Sequence, residues 1–122
     1  MATRIRDSKV FEVTTTNATP VDTAIVAVPT NSICVVTSHI VARTSSGVRA
    51  TFNLYGSAGR EASTATLVSL AMDIIAARKD ASAAAWLAVT DASTNDVVIR
   101  VTGALATTVT WVIFSDIKIY TP

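Results

Sequence analysis

Apolar and polar positions alternate along most of this chain. In 48–55 Val48, Ala50, Phe52 and Leu54 fall on one side and Arg49, Thr51, Asn53 and Tyr55 on the other, the period of two that an extended strand imposes. The segment 107–120 repeats the pattern, with Val109, Trp111, Ile113, Ile117 and Ile119 opposite Thr108, Thr110, Asp116 and Lys118. Strand signals also occupy 10–16, 22–29, 32–43, 64–75, 84–91 and 96–103, which makes eight predicted strands. Turn residues punctuate them: "NATP" at 17–20, "PTNS" at 29–32, "TSSG" at 44–47, "GSAG" at 56–59 and "STND" at 93–96. Connections this short favour antiparallel neighbours.

One stretch supports two readings. Over 64–79 Leu67, Leu70, Ala71, Ile74 and Arg78 fit a helical repeat, whereas Thr66, Val68, Leu70, Met72 and Ile74 fit an alternating one. With either, the chain stays mostly β.

Composition strengthens that class. Val, Ile and Thr number 16, 10 and 19 among the 122 residues, and β-branched side chains suit a pleated, half-buried surface. The length fits one domain. The expected fold is all-β: a single antiparallel β-sandwich or jelly-roll-like domain of about eight strands over 13–122, preceded by a short N-terminal arm over 1–12. Residues 1–9 carry Arg4, Arg6 and Lys9 against Asp7, with Ile5 as their one large apolar residue.

Charge and hydropathy then exclude partners. A net charge of +1 gives no field to gather phosphates or anionic lipid, so nucleic acid is not expected. No apolar run approaches the ~20 residues of a membrane helix. The N-terminus is basic but lacks the apolar stretch of a secretory signal, so a cytoplasmic origin is expected. Only 16% of residues are charged, below the roughly 25% of ordinary domains. Part of the surface is therefore expected to be covered by another chain.

Candidate chemistry is sparse. His39 is the only histidine and Cys34 the only cysteine; alternation puts them on opposite faces of one strand, so no dyad forms, and no metal, cofactor or catalytic group is expected. Glu61, Asp73, Asp80, Asp91 and Asp96 are isolated, and "GSAGRE" (56–61) lacks the Lys and Ser or Thr of a phosphate loop. Trp86, Trp111, Phe52 and Val101 are the expected core anchors. The candidate partner-binding residues are Arg4, Ile5, Arg6, Lys9 and Phe11, where basic and apolar side chains cluster.

The stretches "TTTNATPVDTAIVAVP", "HIVART", "AAWLAVT" and "NDVVIRVTGALATTVTWV", in this order, resemble a recurrent β-sandwich module of tailed-bacteriophage virion proteins. The likeness covers roughly 13–113 and is most specific at Trp86, Asn95, Val97, Arg100, Val101, Thr102, Gly103 and Trp111. It departs at Arg43, where the family's strand often ends in two arginines, and in having only a short stretch before the module. The resemblance implies a non-enzymatic virion protein on the capsid surface: a decoration (cement) protein, acting as a homotrimer that clamps the major capsid protein. Its alternatives are a tail or fibre component and, outside that family, a carbohydrate-binding β-sandwich.

Overall fold

The computed structural model describes residues 2–61 and 68–122. Eight strands form two antiparallel sheets: β1 (Thr3–Thr15), β2 (Val21–Ala27), β3 (Ser32–Arg43), β4 (Arg49–Arg60), β5 (Val68–Lys79), β6 (Leu87–Ser93), β7 (Asp96–Thr102) and β8 (Val109–Thr121). The larger sheet runs β1-β8-β3-β4-β5 and the smaller β2-β7-β6. A single 3₁₀ turn, Ala81–Ala83, joins β5 to β6. The chain is a β-sandwich.

The core lies between the sheets. From the larger sheet, β3 contributes Cys34, Val36, Ile40 and Ala42, β4 contributes Phe52 and Leu54, and β8 contributes Trp111, Ile113 and Ile117. The smaller sheet answers with Ile25, Ala88, Val97, Ile99 and Val101, and Trp86 enters just before β6. Trp86, Trp111, Phe52 and Val101 are all buried. The Trp111 ring lies 6.1 Å from Phe52 and 6.0 Å from Trp86, both tilted, the offset geometry that aromatic quadrupoles favour. Lys79 caps this cluster: its Nζ stands 5.7 Å above the Phe52 ring and donates to the Trp86 carbonyl at 2.7 Å.

Three local expectations change. First, 68–79 is strand, not helix. Its register slips against β4 between Asn53 and Leu54, leaving Ile75 as a bulged residue and shifting the phase that alternation alone would assign; Thr66 and Leu67 lie outside the described residues. Second, "GSAG" is not a turn, because β4 continues through it to Arg60. Gly56 is there for close packing: a Cβ would collide with the Thr90 side chain of the facing sheet. Third, β1 starts at Thr3, so the residues expected as an arm are paired in unbroken register with β8, from Thr3 opposite Thr121 to Thr15 opposite Val109. Thr3–Val10 are nevertheless exposed.

Candidate functional site

The smaller sheet covers one face of the larger one, and among the described residues the other face is open. Antiparallel partners directly opposite one another share a face, so the register sets its rows. Arg4, Tyr120 and Ile33 form one row, Arg6, Lys118 and Val35 the next, and Ser8, Asp116 and Thr37 a third. Val10, Phe114 and His39 follow, then Glu12, Val112 and Val41. Ile33, Val41, Phe114 and Tyr120 are 43–50% exposed and Val10 reaches 63%. The result is a broad apolar surface crossed by charged side chains.

Cations gather at both ends of this face, Arg43 and Arg49 meeting in the row of Thr110 at the far end. Arg4, Arg6 and Lys118 surround Ile33, Val35 and Tyr120 in a shallow groove of about 400 Å³. Among the described residues none of these three cations forms a salt bridge. Asp116, one row further, accepts a 2.6 Å hydrogen bond from the Ser8 hydroxyl. His39 Nδ1 lies 2.7 Å from Asn53 Oδ1 on the same face.

The sequence-predicted binding residues divide between the two faces of β1. Arg4 and Arg6 belong to the open face. Ile5, Lys9 and Phe11 point the other way, opposite Ile119, Ser115 and Ile113. Phe11 packs against the core, Lys9 Nζ reaches the Ile25 carbonyl at 3.5 Å, and Ile5 remains 45% exposed. Lys118, Tyr120, Ile33 and Val35 were missed by sequence reasoning. Alternation marked Lys118 as outward-facing, but only the register of β1, β8 and β3 brings the four beside the arginines.

The motif residues behind the resemblance have structural partners. Arg100 lies at the centre of the smaller sheet and spans it, meeting Asp22 of β2 at 2.8 and 3.1 Å and Asp91 of β6 at 2.7 Å. The Arg100 hydrogen bond, helped by the Ala92 N–H, holds the Asp91 carboxyl below its usual range, and the two carboxylates push the guanidinium pKa upward. Trp111 Nε1 donates to Thr15 Oγ1, and Gly103 leaves no room for a Cβ against that hydroxyl. Burial pushes the Cys34 thiol up to about 11, which removes the thiolate a nucleophile needs. Among the described residues no group of three or more His, Cys, Asp or Glu is placed to hold a metal ion.

No known protein family matches the chain, and no curated protein sequence does either. The open sheet face and the resemblance are therefore the grounds for a functional reading.

Proposed function

We propose that the chain is a non-enzymatic virion protein that decorates a phage capsid, docking on the major capsid protein through the open face of its larger sheet. The observation that carries this is the uncovered row structure itself: Ile33, Val41, Phe114 and Tyr120 exposed on a flat sheet, with Arg4, Arg6 and Lys118 gathered at one end. Exposed apolar area of this kind on a chain with few charges marks a protein contact. The cations supply orientation, because they attract carboxylates on the capsid while the apolar rows supply contact area. A decoration protein also needs no catalytic machinery. Its effect comes from bridging neighbouring subunits, so that several weak contacts act in parallel.

The virion assignment rests on the resemblance, and its homotrimer rests on that alone. A tail or fibre protein would use the same face on a different partner. The carbohydrate-binding reading, with Trp86 or Tyr55 as its sugar platform, has less support, since Trp86 is buried and Tyr55 is half-buried.

The test is sedimentation with the heads of the phage whose genome carries the gene. Lys118→Glu combined with Ile33→Glu changes only outward-facing side chains of β8 and β3. Bound protein is expected to fall at least tenfold while the melting temperature stays close to that of the wild type. Undiminished binding would remove this face from the reading, and wild-type protein that binds tails but not heads would shift it to the tail.

A further inference from the structure

The free edge of β1 fits a second copy of itself. β1 is hydrogen-bonded to β8 on one side, and among the described residues no strand lies on the other. Long edge strands are normally blunted by proline, a bulge or charged side chains, because their unpaired N–H and C=O groups template further pairing. β1 has neither proline nor bulge: Thr3–Thr15 contains no proline and its register with β8 is unbroken; its charges, Arg4, Arg6, Asp7, Lys9 and Glu12, are of both signs.

Those charges are self-complementary in one register. An antiparallel copy related by a two-fold axis through Ser8 sets Arg4 against Glu12, Ile5 against Phe11, Arg6 against Val10 and Asp7 against Lys9, each contact occurring twice. Partners share a face, so Asp7 meets Lys9 and Ile5 meets Phe11 on the core side, and Arg4 meets Glu12 on the open side. Ile5 gives this register its second support. It faces the same way as Ile119, which is 6% exposed, yet it is itself 45% exposed, and a partner's Phe11 would cover it. Moving the axis to Lys9 keeps only the Arg6–Glu12 charge pair and sets Asp7 against Phe11. Moving it to Asp7 leaves no opposite charges paired, and an axis between residues would oppose side chains from different faces.

We propose that two copies pair through β1 about an axis at Ser8, joining their larger sheets into one continuous sheet. This pairing does not depend on a virion role, and it gives a two-fold assembly where the resemblance implies a three-fold one. Light scattering after gel filtration reads the native mass, and a dimer is expected. Asp7→Lys sets like charges opposite one another and is expected to yield monomer, while adding Lys9→Asp restores the opposite pairing and the dimer mass. Ser8→Cys introduces a thiol on the axis, and because Cys34 is buried, mild oxidation is expected to give a disulfide-linked dimer. Thr14→Cys, far from the axis, should give none. A monomeric or trimeric wild type, or an Asp7→Lys mass that Lys9→Asp does not restore, overturns the proposal.

Discussion

Trp111 donates its indole N–H to the Thr15 hydroxyl over 2.9 Å, inside the core and between residues 96 positions apart. The bond satisfies a donor that burial would otherwise strand, and it fixes the end of β1 to β8. Thr15→Val keeps the shape but removes the acceptor. Stability is expected to fall by about 1–3 kcal/mol, the usual result of orphaning a buried polar group, read as a lower urea midpoint with unchanged slope. Gly103→Ala should destabilise by a different route, since its new methyl would press on the same hydroxyl.

The Arg100 clamp predicts an acid-sensitive contribution. Asp91 has a lowered pKa in the folded chain, so its stabilising effect is present above the ordinary carboxylate value near 4 and is lost as pH falls through the folded value. Its side chain is 42% exposed, and solvent screening limits the effect to about 1 kcal/mol or less. Asp91→Asn is expected to lower stability at neutral pH and to flatten its decline as pH falls below about 4. A thermal series over that range checks both.

Cys34 should be inert until the chain opens. Its side chain is inside the core and its thiol is pushed up to about 11, so a thiol reagent at pH 8 meets neither access nor thiolate. Labelling of native protein is expected to be at least a hundredfold slower than in denaturant, and its rate should track unfolding rather than reagent concentration once the reagent is in excess.

The two indoles predict a spectroscopic signature. Trp86 and Trp111 are 1% and 0% exposed, so emission should be blue-shifted, resistant to iodide, and unchanged by added sugars. A sugar-dependent shift would favour the carbohydrate reading.

The inward faces of β3, β4 and β8 were legible in the sequence because a strand with one buried side carries its own record in alternating residues. Trp86, Trp111 and Phe52 stood out for the same reason, as large side chains that a small sandwich must bury. What could not be read was pairing between distant segments. Residues 3–9 carry polar and charged side chains on both faces, so nothing in their pattern distinguishes an exposed edge strand from a loose arm. The backbone bonds to β8 decide it. "GSAG" has turn composition, but the reason for Gly56 is Thr90, thirty-four positions away. The Arg4, Arg6 and Lys118 cluster is likewise a product of register. Arg100 left a trace in the sequence through the stretch behind the resemblance, but its carboxylate partners are set by the order of strands in the smaller sheet.

Ser38 and Ser115 face one another in the buried middle of β3 and β8, their hydroxyls 2.8 Å apart. Both strands alternate so regularly that sliding one past the other by two residues would still turn the same apolar side chains inward. Hydrophobicity alone is blind to that error. The slipped sheet would, however, separate the two hydroxyls and leave each against hydrocarbon, at about 1–3 kcal/mol apiece. The serine pair thus works as an alignment key, a small polar mark that lets an otherwise uniform β interior recognise when its central strands are in step.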